Sequence, residues 1–315
     1  MLIGAGAGIL PDADVFIRSA SDPLLAVEYH RQFTHALAFI PVGGFISALP
    51  WLAKKKNRNE WKAIIGASVA GYATHGLLDA CTTYGTQLLW PFSNVRVAFH
   101  SISIIDPLFT LALLIGTILS AVRRSTLPAS IALAFCLAYL GLGAVQRSRA
   151  ADVQAHLAAS RNHAVTRGEV FPTVGNNVVW RSLYRSGDTL HADRIRVPWL
   201  GRAAFVPGAT VPAVDESDLD PAQLASPRIR RDFQRFRWFS GGWLARDSRD
   251  PSIIGDVRYS LRTGAFEAIW GVRFHPGRKV PTEWIDMSRD REIRPGELWD
   301  EITGHAEGLT RIREF

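Results

Sequence analysis

Cysteine is almost missing from this chain: Cys81 and Cys136 are the only two, and each lies within an apolar run. They form no CxxC pair, so they read as packed thiols, which argues against a disulfide framework or a thiolate metal site. The glycine patterns of nucleotide and acyl chemistry are lacking too. "GAGAG" near the start is not a G-x-G-x-x-G fingerprint, and no P-loop occurs. "GASVA" lacks the final glycine of a G-x-S-x-G elbow, which leaves a serine-hydrolase mechanism little support. Small residues that let helices approach closely are the better reading of "GAGAG". The opening "MLIGAGAGILPDAD" has neither a basic flank nor an A-x-A cleavage site, so no cleavable signal peptide is expected. There is no internal repeat.

What is present is unevenly spread. Apolar residues make up 47% of the 315, but the long hydrophobic runs all fall before residue 146. The remainder is charged and rich in Arg and Trp. This asymmetry predicts an α-helical integral membrane domain over residues 1–150 and a mainly β, extramembrane domain with short helices over 151–315. Four runs are long enough to span a bilayer, which needs about 20 apolar residues: Phe33–Ala53, Ala63–Cys81, Ile102–Val122 and Leu127–Val145. Met1–Leu10 reads as the tail of a further, truncated apolar helix. Lys54, Lys55, Lys56, Arg58 and Lys62 follow the first run, and Arg123 and Arg124 the third, so the positive-inside rule sets both loops in the cytoplasm. The C-terminal domain is then periplasmic, although Arg18, Arg31, Arg147 and Arg149 vote the other way. High Ala and Arg content points to a GC-rich bacterial source.

In the tail, "VVWRSLYRSGDTLHADRIRV" alternates around an S-G-D turn and predicts a hairpin. "VRYSL", "AFEAIWGVRF" and "TEWIDM" predict further strands; Ala225–Phe236 and Gly296–Gly304 predict helices.

The chemistry gathers in polar residues at the ends of the apolar runs. His75 and Asp79, spaced i, i+4, share one helix face. A histidine and a carboxylate inside a span are a functional-site hypothesis by default, set against a structural His–Asp bond. His30 and His35 bracket the start of the first run, Asp12 and Asp14 precede it, and Asp106 opens the third. On the expected topology seven groups from four segments meet at one membrane face, and reversing the topology moves them together. Imidazole and carboxylate without thiolate suit a divalent metal, zinc foremost. Seven candidates allow either a second ion or carboxylates that orient the histidines. The expected ligands are His35, His75 and Asp79, then His30, Asp12 and Asp14. Asp106 is better read as a helix N-cap, and His100 as a solvated loop histidine. His156, His163, His191, His275 and His305 show no ligand spacing. Arg31 is the candidate catalytic residue, holding a phosphate or carboxylate of the substrate.

"LPDAD", "HRQFTH" and "GYATHGLLDACTTYGTQLLWPF", in that order amid apolar runs, resemble the inner-membrane-associated family assigned as metal-dependent hydrolases, the YdjM-type (LexA-binding) family. The resemblance covers about residues 8 to 110, and "FPTVGNNVVWRSLY" and "DVRYSL" are similar to segments of longer members. It implies an integral membrane protein, a hydrolase and a metal site, with Asp12, Asp14, His30, His35, His75 and Asp79 as the polar signature. Two departures stand out: Ala36 takes the place of a serine, and the chain starts inside what is a first helix in other members.

The expected function is therefore a membrane-bound hydrolase whose metal-activated water attacks an ester or phosphoester of a lipid or small molecule. The alternative is a non-enzymatic membrane protein with a structural His/Asp cluster and a partner-binding C-terminal domain. "RIRRDFQRFRWF" interleaves Arg228, Arg230, Arg231, Arg235 and Arg237 with aromatics, but contact with anionic head groups is a better expectation there than nucleic acid.

Overall fold

The computed structural model describes residues 1–260, 262–290 and 295–312. Leu261, the last residue of the expected strand "VRYSL", and the side chains of Lys56 and Arg58 lie outside that description. Two compact units appear, Met1–Phe99 and His100–Phe315.

The first unit contains four helices: α1 (Leu2–Ile9), α2 (Leu25–Tyr29), α3 (Ile40–Leu52) and α4 (Trp61–Ala80). A 3-10 segment, Leu10–Phe16, follows α1 and carries both N-terminal aspartates. The buried residues of α4 are Ile64, Ser68, Tyr72, Gly76 and Ala80, a stripe at strict i+4 spacing. Two glycines let neighbouring backbone meet this helix. A Cβ on Gly71 would stand 2.2 Å from the Gly4 carbonyl oxygen, and one on Gly76 would stand 2.4 Å from that of His35. The small residues of "GAGAG" thus serve close packing of α1 on α4, as expected.

The second unit opens with an antiparallel helix pair, α5 (Pro107–Arg123) and α6 (Leu127–Ser160). Asp106 caps α5, accepting from the Phe109 amide at 3.1 Å and from the Tyr139 hydroxyl of α6 at 2.9 Å. Ala132, Cys136, Tyr139, Gly143, Gln146, Ala150, Val153 and Leu157 form the buried face of α6 at alternating steps of four and three. Beyond Gln146 that face meets the sheet: Ala150, Val153 and Leu157 share a core with Val170, Trp180 and Ile195.

The rest of the unit is two antiparallel sheets joined by short helices. One has the order β1-β2-β3-β4-β9, from β1 (Val165–Pro172), β2 (Val179–Ser186), β3 (Thr189–Arg196), β4 (Ala204–Pro212) and β9 (Thr310–Arg311). The other has the order β5-β6-β7-β8, from β5 (Leu244–Arg246), β6 (Ile253–Asp256), β7 (Trp270–Phe274) and β8 (Thr282–Asp286). The helices are α7 (Pro221–Leu224), α8 (Pro227–Phe239) and α9 (Pro295–Thr303). β2 and β3 make the expected hairpin, with Ser186 opposite Thr189 across Gly187 and Asp188. The expected strand at Val257 does not form. β6 ends at Asp256 because Arg258 folds back onto its buried carboxylate, with Nη2 to Oδ2 at 2.7 Å.

The expectation of a multi-span membrane domain is overturned. Among the described residues α6 is the one helix long and apolar enough to cross a membrane. Leu25–His35 with Leu37–Leu52 passes that test only as a pair, bent by 58°. α5 is too short at 17 residues. α4 has the length, 20 residues, but Lys62, Ser68, Thr74, His75 and Asp79 dilute its apolar character. Window hydropathy counts apolar residues without asking whether one straight helix carries them.

Gly76→Ala is expected to force α4 away from the His35 backbone and to lower stability by about 1–3 kcal/mol. Thermal melts of the full chain beside Gly66→Ala, where a Cβ meets nothing within 4 Å, check the difference.

Candidate metal centre

Asp14 organises the site. Its side chain is fully enclosed, and both oxygens are engaged. Oδ1 lies 2.8 Å from His30 Nδ1; Oδ2 accepts from the Arg31 amide at 3.0 Å and from the Thr34 hydroxyl at 2.8 Å. Burial on its own pushes this carboxyl up. The bonds from His30, His35 and Thr34 outweigh that and hold it well below the ordinary carboxylate range. These bonds shape the turn at residues 30–35, where Arg31 adopts the left-handed backbone, φ 64°. The Tyr72 hydroxyl of α4 fastens the same turn through the Thr34 carbonyl at 2.7 Å.

His35 is thereby aimed. Its Nδ1 lies 2.9 Å from the Thr34 hydroxyl oxygen and 3.3 Å from Asp14 Oδ2. The Thr34 proton is already given to Asp14, so Nδ1 donates. Burial alone lowers the His35 pKa, but its bonds to Asp12, Asp14 and Asp79 outweigh that and raise it to about 10. Without a metal, Nε2 therefore carries a proton towards Asp12 and Asp79 as well. His75 is set the same way: its Nδ1 donates to the Gly8 carbonyl at 2.6 Å, which turns Nε2 towards the cluster. The two Nε2 atoms face Asp79 Oδ2, at 3.2 Å from His35 and 3.6 Å from His75. Asp12 Oδ1 completes the group at 3.6 Å from His35 Nε2 and 3.2 Å from His75 Nε2. The His35 bond comes first among the causes that keep the Asp12 carboxyl below its usual range.

One ligand atom from each of Asp12, His35, His75 and Asp79 lies within 4.8 Å of the others, and Asp12, Asp14 and His30 form a second such set. The donor set fits a divalent cation. His35 Nε2 and Asp79 Oδ2 are both buried and make no hydrogen bond. Carboxylates and imidazole nitrogens that converge on one point can be neutralised there by protons on the histidines or by a cation, and a bound metal would take the place of those protons. Asp12 is the open member, its side chain half exposed.

Arg31 sits beside this group. Its Nε is 3.0 Å from Asp79 Oδ2, one terminal nitrogen donates to the Thr82 hydroxyl at 2.9 Å, and the guanidinium lies over the Tyr84 ring. Asp106 is absent from both metal-competent sets and serves as the α5 cap. His100 is not solvated: it is buried beside Phe171, and burial together with Arg147 and Arg258 pushes its pKa down to about 3. His163 and His191, far apart in sequence, come together with ring centroids 4.4 Å apart. Sequence reasoning passed over Thr34 and Tyr72. Thr34 lies inside "HRQFTH", and its place between the two histidines was the available signal. Tyr72 had none beyond its helical phase with His75.

Asp14→Ala strips three donors of their acceptor in a buried place and is expected to cost about 3 kcal/mol or more. Its melting temperature should fall well below that of Asp12→Ala, whose carboxylate is half exposed.

The whole cluster falls within residues 1–150, and no curated protein or solved structure matches the chain. Those 150 residues match the model of the YdjM inner membrane protein family, and it is this family that the N-terminal part of the chain is similar to.

Proposed function

We propose that this is an inner-membrane metal-dependent hydrolase, with one divalent cation, zinc foremost, on His35, His75 and Asp79. The observation that carries this reading is the convergence of one ligand atom each from Asp12, His35, His75 and Asp79 within 4.8 Å, with His35 Nε2 and Asp79 Oδ2 buried and without a hydrogen bond. A cation bound there supplies Lewis acidity and lowers the pKa of a water towards about 7. The chain's own residues do the rest. Asp14 and Thr34 fix the His35 ring from behind, as a carboxylate behind a metal-bound histidine does elsewhere. His30 holds Asp14 in turn. Asp12 stands at the open edge, where water and substrate arrive. Arg31 positions Asp79 and lends positive charge to that edge, which favours an anionic ester or phosphoester, from a lipid or a small molecule. The C-terminal unit is then extracytoplasmic.

Asp12 also favours a second reading. With it, four donors surround one point, the count of a closed structural zinc site. The two readings part at Asp12→Ala: a catalytic centre keeps its ion, whereas a closed one loses its fourth ligand and binds far more weakly.

The purified chain should carry about one equivalent of zinc or manganese, lost in His35→Ala and in His75→Ala. Thr34→Val, which removes the hydroxyl from both Asp14 and the His35 ring but keeps every ligand atom, should weaken metal affinity about 10–100-fold. Metal analysis, followed by hydrolysis assays on phosphoesters and carboxylic esters, checks these outcomes. Folded protein that takes up no metal on reconstitution would sink the hydrolase reading.

A further inference from the structure

The C-terminal unit holds a second concentration of charge, unrelated to the metal centre. Arg167 on β1 and Arg185 on β2 are direct cross-strand partners. Like charges facing each other across a sheet destabilise it unless something offsets them. Arg237, from the last turn of α8, joins them, and the three side chains line a cavity of about 370 Å³ with Thr166, Gly242 and Trp243. That is the small end of the range of ligand sites.

The carboxylates nearby offset only part of this charge. Asp215 binds Arg185 at 2.7 Å and lies 3.6 Å from Arg237; fully exposed Asp188 reaches Arg185 at 3.2 Å. Arg167 has no carboxylate within ion-pair distance among the described residues. Its guanidinium is held flat over the Trp243 indole, 4.6 Å from the ring centre, and donates to the Gly241 carbonyl. Trp243 is buried and fixed, so Arg167 is held in place at little further entropic cost. Burial lowers its pKa, Glu169 works against this, and Arg258 and Arg237 add to the lowering.

We infer that the Arg167–Arg185–Arg237 cavity is a binding site for a phosphate group. Guanidinium forks match phosphate oxygens in geometry as well as charge. Two forks set by paired strands, and a third by a helix, present donors from three directions. The phosphate can belong to a soluble monoester or to an anionic lipid head group. The same reading gives "RIRRDFQRFRWF" a specific role through Arg237, where the sequence suggested only a general contact with anionic head groups.

The test uses the full chain in detergent, with excess chelator so that the N-terminal cluster holds no metal. Thermal shift and calorimetry compare sodium phosphate, dihexanoyl phosphatidate below its micellar concentration, and sodium chloride at matched ionic strength. Phosphate or phosphatidate should raise the melting temperature beyond chloride. Arg167→Gln and Arg237→Gln should each weaken that binding about tenfold. Arg237 is about half exposed, so its variant keeps the test valid should Arg167→Gln melt early. Equal affinity for both ligands identifies a soluble ester as the source; phosphatidate binding ten times tighter identifies a head group. No shift beyond chloride with either ligand, or a shift unchanged in both variants, overturns the inference.

Discussion

A carboxylate shut away from water must be satisfied where it stands, and Asp14 imposes that constraint on the whole N-terminal unit. It draws His30, the Arg31 amide and Thr34 to one point, and the chain between them has a single way to comply. That turn presents His35 to α4, and α4 carries His75 and Asp79 on the face that receives it. Packing then locks the meeting in place. Gly76 admits the His35 backbone, and Tyr72, one turn earlier, ties down Thr34. The metal-competent group is therefore a product of helix packing and one buried charge, not of a local ligand motif.

Much of this centre could be read from the sequence. The i, i+4 spacing of His75 and Asp79 survives in any helix, and "HRQFTH" places two imidazoles on a short turn whatever its details. The tail's hairpin was equally legible, since alternation around Gly187 and Asp188 is a local property. The number of membrane-crossing helices was not. Hydropathy cannot tell whether one straight helix carries an apolar run: the first run is bent by 58°, and the third gives a helix of only 17 residues. The conformation of His100 also escaped, because burial in a loop depends on residues such as Phe171 and Arg147 that lie far along the chain.

The two units handle buried charge in different ways. Around the N-terminal centre, acceptors outnumber donors at one point, and that imbalance invites a cation. In the C-terminal unit arginines are mostly neutralised internally: Arg258 by Asp256, Arg161 by Asp193, Arg194 by Glu301. Arg181 is buried without a carboxylate at ion-pair distance among the described residues and is satisfied by the carbonyls of Thr263 and Val257.

Helix α6 has a mechanical consequence. Its 34 residues amount to a rod of about 50 Å, apolar and uncovered at its start and seated on a β-sheet at its end. No hinge glycine or proline interrupts the stretch between Gly143 and Ser160. Whatever medium grips the first half therefore fixes the height and azimuth of the sheet as well. A tilt of the rod by a few degrees would swing the far end by several ångströms, so the arginine-lined cavity shares one lever with the apolar segment.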